Sequence, residues 1–221
     1  MTDETPVVDR GSLTEELARH QIALPPEQVT QLEAYCHWLW DWNEKINLTR
    51  HTTYEKFVSR DLVDSLQLSA VLEPDARVID VGTGGGVPGV VLAILRPDLR
   101  VALTDSVAKK ARAVGDIVRK VGLKVPVHAM AAQSLLAEEY YDALVIRAVA
   151  ALPKLLTWFE PYWGSIGRLL IIKGPAWVEE RAEARHRNLM HELQLRKLAS
   201  WPLPGTESES VLLEIRPKEE R

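Results

Sequence analysis

The spacing of apolar residues changes character near residue 77. Before it the pattern is helical. Ser12-Leu13-Thr14-Glu15 forms a capping box and predicts a helix that turns Leu13, Leu17 and Ile22 inward. Pro25-Pro26 interrupts the chain. From Glu27 to about Asn47, Val29, Leu32, Cys36, Leu39 and Ile46 recur at three- and four-residue intervals, which predicts a long amphipathic helix. Trp38, Trp40 and Trp42 alternate instead and cannot all share that face, so one or two are expected to cover a neighbouring helix or the main domain. A polar loop, Asn47 to Thr53, leads into a third helix over about Tyr54 to Leu72, with Phe57, Val58, Leu62, Leu66, Leu68 and Val71 as its apolar set. Arg60 and Asp64 stand at i, i+4 and are expected to form a solvated ion pair, a site-facing role being the alternative.

From Arg77 onward short β-branched runs alternate with helical stretches. Strands are predicted at Arg77 to Val81, Arg100 to Asp105, Lys124 to Met130, Asp142 to Arg147, Gly167 to Gly174, Leu195 to Trp201 and Ser210 to Arg216. Helices are predicted at Gly89 to Leu95, Ala108 to Val121, Leu152 to Tyr162 and Trp177 to Leu193. Such alternation means a mainly parallel sheet covered on both faces. Residues 1–11 read as a frayed tail, 12–72 as a helical extension and 73–217 as the ligand-binding domain.

The first strand runs into Gly82-Thr83-Gly84-Gly85-Gly86-Val87-Pro88-Gly89, which holds five of the chain's 12 glycines. A strand, a glycine turn and a helix let main chain and helix N-terminus approach a ligand with no Cβ in the way. Gly84-x-Gly86-x-x-Gly89 fits a dinucleotide fingerprint, and Gly82-x-Gly84-x-Gly86 fits the nucleoside loop of methyltransferases. Asp80, at the end of the strand, favours the second, because a carboxylate there repels a pyrophosphate but suits a positive ligand such as S-adenosyl-L-methionine.

Composition narrows the class. Hydrophobic residues make up 46% and charged residues 26% of 221, a soluble globular balance, and no apolar run reaches membrane-span length. The acidic N-terminus lacks an apolar signal core, and the lone Cys36 rules out an internal disulfide or cysteine-built zinc site, so a cytoplasmic protein is expected. His186 and His191 lack a carboxylate in a chelating pattern, so no metal is expected. A net charge of −4 argues against a broad nucleic-acid surface but leaves room for a local one.

Ligands of such sheets bind beyond the carboxyl ends of the strands. That rule selects Gly82 to Val87, Asp105, Met130 to Gln133, Arg147 and Lys173. Asp105 can take both hydroxyls of a ribose, cap the next helix, or do both. Arg147 leaves a buried strand and needs a partner or a ligand. Lys109, Lys110 and Arg112 on one side, and Arg50, Lys56 and Arg60 on the other, are the local positive surfaces suited to phosphate contact. Of these, Arg60 and Lys109, together with Lys173, are the expected substrate contacts.

Asn47-Leu48-Thr49, Asp64-Ser65, the run from Asp80 to Gly89, Arg147-Ala148-Val149-Ala150 and Lys173-Gly174 follow one another in that order. Together they resemble the glucose-inhibited division protein B family, bacterial small-subunit ribosomal RNA guanine-N7 methyltransferases, over roughly residues 12–217. The resemblance implies an α/β fold of the class I methyltransferase (Rossmann-like) type: a seven-stranded, mainly parallel sheet whose last strand is antiparallel, with an N-terminal helical extension. It implies S-adenosyl-L-methionine as cofactor, held at Gly82, Val87, Asp105, Ala132, Gln133 and Arg147, with Gly84 beside them in the loop. It also implies small-subunit ribosomal RNA or the small ribosomal subunit as partner; a monomer, off the membrane, is expected. An exposed tryptophan of the Trp38–Trp42 run would then be a stacking platform for RNA.

Two positions depart from the family's usual pattern. Gln133 stands where the family has Glu, and can still hydrogen-bond an adenine amino group. Asp61 stands where the family has His, and is expected to take a potential cation from a region that meets RNA. The alternatives are the same fold acting on a small molecule or protein, and a non-catalytic nucleoside-binding module. A nicotinamide-binding domain has no use for Asp80 where it stands.

Overall fold

Ser12 Oγ accepts the Glu15 N–H at 3.4 Å and starts α1 (Leu13–Arg19), as the capping box predicts. The computed structural model describes residues 9–218, so most of the tail expected over residues 1–11 lies outside the described residues. Arg10 is held: its guanidinium lies 4.7 Å from the Trp40 ring centre and donates to the Thr52 carbonyl. Next comes α2 (Pro26–Asn43), which stops short of Asn47 because Asn43 Oδ1 accepts the N–H groups of Leu48 and Thr49 and turns the chain.

The third helical stretch is not uniform. It runs as α3 (Tyr54–Lys56), a wide π-helical turn over Phe57–Leu62, and α4 (Val63–Ser69). π turns are rare and cluster at functional sites. Here the turn buries Asp61, and α4 then buries Asp64 and Ser65. The expected Arg60–Asp64 ion pair is therefore absent, since Asp64 faces inward while Arg60 stays at the surface.

The sheet comprises β1 (Arg77–Val81), β2 (Arg100–Thr104), β3 (Val127–His128), β4 (Tyr141–Arg147), β5 (Ile166–Lys173), β6 (Leu193–Pro202) and β7 (Glu209–Pro217), in the order β3-β2-β1-β4-β5-β7-β6. Only β7 runs against its neighbours. Between strands lie α5 (Gly89–Leu95), α6 (Ala108–Val121), α7 (Ala132–Leu136), α8 (Leu152–Phe159) and α9 (Trp177–His186). Strand β3 is far shorter than Lys124 to Met130, consistent with Pro126, which has no N–H to give a ladder. Pro161 sits in a 3-10 turn, Glu160–Ser165, that follows α8, and α9 ends before Asn188, whose φ of 58° no helix accommodates. The five-residue α7 is too short to leave a periodic signal.

Period-two alternation sorts the strands onto two layers. Val78, Val101, Val145 and Leu170 join one layer; Ile79, Ala102, Leu144 and Ile171 join the other. The first layer contains Leu13, Leu32, Tyr35, Leu39 and Phe57 from the N-terminal helices together with Val90 and Ile117. Those helices are thus part of the main core, covering one face of the sheet with α5 and α6. All three tryptophans pack there: Trp40 donates to the His51 carbonyl and Trp42 to Asp116 on α6, each at 2.8 Å, and Lys120 caps the Trp38 ring at 3.7 Å. None is left as an open stacking platform. Among the described residues no helix is long and apolar enough to cross a membrane.

Candidate cofactor and substrate site

At the end of β1 the chain turns through Gly82 with a φ of +67°. A Cβ on Gly82 would sit 2.8 Å from Val149 Cγ2, and one on Gly89 would collide with Leu103 and lie 2.7 Å from Asp80 Oδ2. Glycine is required at both, once for a left-handed turn and once for close approach of α5 to the sheet. The loop is held from three sides. Thr83 N–H bonds the Thr104 carbonyl at 3.0 Å. Asp105 Oδ2 accepts the Gly84 N–H at 3.0 Å, and Tyr35 of α2 donates its hydroxyl to the Gly85 carbonyl at 2.9 Å. Val87 closes the loop and is buried.

The two acids of the sequence reading differ in their employment. Asp80 is 1% exposed, and its Oδ2 accepts both the Thr83 hydroxyl at 2.6 Å and the Gly89 N–H at 2.8 Å. Its charge therefore fastens the loop from below, rather than standing open to a ligand. The other oxygen, Oδ1, is buried with no protein partner. Burial pushes the Asp80 carboxyl up to about 6 against the pull of those two hydrogen bonds. Asp105 has both oxygens on backbone N–H groups, Gly84 for one and Val107 at 2.8 Å for the other. It ties the loop to the end of β2 and is 6% exposed.

Ala132 and Gln133 open α7 just beyond β3, the first buried and the second half-buried. Met130, just before them in the chain, and Val107, just after Asp105, are each about 40% exposed. On the other flank, Arg147 closes β4 and finds its partners in the N-terminal helices: Asp61 Oδ1 at 2.7 Å and Asp64 Oδ2 at 3.1 Å. Desolvation would lower the Arg147 pKa, but the two carboxylates outweigh it and raise it. Burial raises Asp64 despite Arg147. Asp64 Oδ1 also accepts the Trp201 indole N–H at 3.1 Å, and His51 Nδ1 meets Asp61 Oδ1 at 2.8 Å. After Arg147 the chain bends through Ala148, a left-handed alanine with φ 54°, which seats Val149 against Gly82.

The structure thus brings Gly82, Gly84, Val87, Asp105, Ala132, Gln133 and Arg147 to the carboxyl edge of four adjacent strands. Lys173 does not stand free there. Its ammonium donates to the Ala150 carbonyl at 2.6 Å and pairs with Glu180 at 2.7 Å, while Glu180 also accepts the Leu152 N–H, so Lys173 anchors α8. Arg60 and Lys109 lie at the surface. His51 and Trp201 escape a reading of sequence, since a histidine in a polar loop and a tryptophan on a predicted strand carry no local signal of a shared carboxylate network.

Residues 28–204 match the model of the GidB family, described as rRNA small subunit methyltransferase G. The chain belongs to this family. A ribosomal RNA small subunit methyltransferase G from Rhodopirellula baltica is 49% identical over 172 residues, 78% of this chain and 74% of that protein. One from Escherichia fergusonii is 33% identical over 198 residues, 89% and 92% of the two chains. Among solved structures, a ribosomal protein L11 methylase from Lactobacillus delbrueckii superimposes with a TM-score of 0.52 at 18% identity, covering 77% of this chain and 81% of that one. A SAM-dependent O-methyltransferase from Thermotoga maritima gives 0.52 at 15% identity, covering 83% and 72%. The seven-stranded sheet with its reversed β7 is the class I methyltransferase fold. Within this GidB-family framework the expectation for Asp61 is corrected: the residue is wholly buried, holding Arg147 and His51, and does not reach the protein surface.

Proposed function

We propose that this chain transfers the methyl group of S-adenosyl-L-methionine to N7 of a guanine in small-subunit ribosomal RNA. One observation carries the choice of cofactor. The glycine turn, whose Gly82 packs too closely on Val149 to carry a Cβ, is fastened by two buried carboxylates, Asp80 and Asp105, and Asp80 Oδ1 has no protein partner. That donor set fits a cationic nucleoside and disfavours a pyrophosphate. Gly82, Gly84 and Val87 would hold it from the loop, Asp105 at the ribose, Ala132 and Gln133 at the base, and Arg147 from β4. When bound, S-adenosyl-L-methionine supplies a methyl group activated by its sulfonium.

The chain's own contribution is placement. Guanine N7 carries a free lone pair, so no general base is needed, and both oxygens of Asp105 are engaged by backbone N–H groups. Arg147, clamped by two carboxylates, orients and excludes water without exchanging a proton. Lys173 supports the wall formed by Ala150 and α8. In A-form RNA the N7 edge faces a groove too deep and narrow for side chains, so the target guanine is unpaired or turned out. Arg60 and Lys109 flank the site and contact phosphates. The protein works as a monomer in the cytoplasm.

Calorimetry with S-adenosyl-L-methionine against NAD tests the cofactor: binding of the first alone is expected. Asp105→Ala should abolish that binding, with thermal unfolding reporting whether the loop survives. Tritiated methyl transfer to small ribosomal subunits that lack the modification, to their naked RNA and to protein then tests the acceptor. The net charge of −4 favours the second reading, a small-molecule or protein acceptor, and transfer to protein alone would establish it.

A further inference from the structure

A second groove opens between the Asn47–Thr53 loop, the π turn and the turn that joins β6 to β7. Arg50, His51, Lys56, Ser59, Arg60 and Gly205 line it. Acids outnumber Lys and Arg by 31 to 27 in this chain, and cations beside the sheet are mostly engaged: Arg96 with Asp98, Arg147 with Asp61 and Asp64, Arg168 with Glu214, Lys173 with Glu180. Arg50, Lys56 and Arg60 form no salt bridge among the described residues, and Glu55 is the one carboxylate that lines the groove with them. Three adjacent unpaired cations in an acidic protein repel one another, and an anion laid between them removes that repulsion. The groove is also joined to the carboxyl edge of the sheet. His51 lines it while holding Asp61 at 2.8 Å, and Asp61 holds Arg147 at 2.7 Å.

We propose that this groove seats backbone phosphates of the RNA strand that carries the target guanine. The choice of polymer rests on the methyl-transfer reading above. The groove adds a register: a strand anchored here lies on the N-terminal-helix side of the sheet edge and is delivered past Arg147.

The test is the salt dependence of binding to in-vitro-transcribed small-subunit ribosomal RNA. It compares the wild type with a combined Arg50→Gln, Lys56→Gln, Arg60→Gln variant. A control variant, Arg100→Gln with Lys124→Gln, removes charge from a different groove, formed around β2 and the segment before β3. In the triple variant the slope of log affinity against log salt should fall by about 0.7 for each phosphate no longer neutralised, and affinity roughly tenfold or more, with an unfolding temperature no lower than that of the wild type. The control should keep the wild-type slope. A triple variant with the wild-type slope overturns the groove, as does a control whose slope falls as far, because net charge alone would then account for binding. Methyl transfer is measured alongside. A wild type that transfers no methyl to this RNA or to small subunits, while the triple variant still shows the shallower slope, retires the proposed reaction and supports the groove.

Discussion

The two edges of the sheet handle charge in opposite ways. At the amino edge Arg77 pairs with Glu139, and both side chains are more than 40% exposed. At the carboxyl edge Arg147 pairs with Asp61 and Asp64, which are 1% and 8% exposed. A solvated pair contributes little, whereas a buried one is costly to form and more costly to break. Left-handed backbone occurs at both edges: Gly82, Gly84, Gly86 and Ala148 at the carboxyl edge, and Asp75, with a φ of 60°, just before β1 at the amino edge. Four buried carboxylates, Asp61, Asp64, Asp80 and Asp105, gather where the candidate site lies, while Glu214, paired with Arg168, is buried away from it. This edge gathers buried carboxylates around the candidate site at some expense to stability, a heavier burden than the amino edge carries.

Substitutions can sharpen or break this contrast. The largest effect should come from Arg147→Ala, which leaves two buried carboxylates without a counter-charge: a loss of about 3–5 kcal/mol in urea unfolding, against about 0–1 for Arg77→Ala. Equal losses would erase the contrast. Next is the pH response of Asp80. Its folded pKa, about 6, lies above the ordinary 3.8, so between these values the fold holds more protons than the unfolded chain. Stability from this group therefore falls as pH rises through that window, by on the order of 2–3 kcal/mol. Denaturation curves of wild type and Asp80→Asn at pH 4 to 7 should differ by that slope; parallel curves would place the Asp80 charge in water. Gly89→Ala drives a methyl into Leu103 and Asp80, and should cost about 1–3 kcal/mol along with affinity for S-adenosyl-L-methionine, read by calorimetry. Smallest is Ala148→Gly, which relieves a left-handed alanine and should raise stability by roughly 0.5 kcal/mol in the same assay.

Much of this carboxyl edge was legible in the residues themselves. Asp80, the glycines and Pro88 announce a strand, a turn and a helix by local chemistry, and strand endings nominate Asp105 and Arg147 through a rule of topology. The partners of those side chains were not legible. Arg60 and Asp64 obey helical spacing on paper, but the π turn over Phe57–Leu62 redirects Asp64 to Arg147 and Trp201, residues 83 and 137 positions away. Asp61 and Lys173 depart from expectation for the same reason: their partners come from other elements, and spacing along one segment says nothing of them. Short pieces such as β3 and α7 hold too few residues to establish a period.

The hydroxyl of Tyr35 on the Gly85 carbonyl has a consequence for how the protein comes into being. Gly85 also rests against Leu39 and Leu48, so the nucleoside cradle is moulded by a helix made well before it on the ribosome. Cutting the chain between α4 and β1 would remove both the template of the glycine turn and the helical cover of one face of the sheet, so ligand affinity and the fold would be lost together.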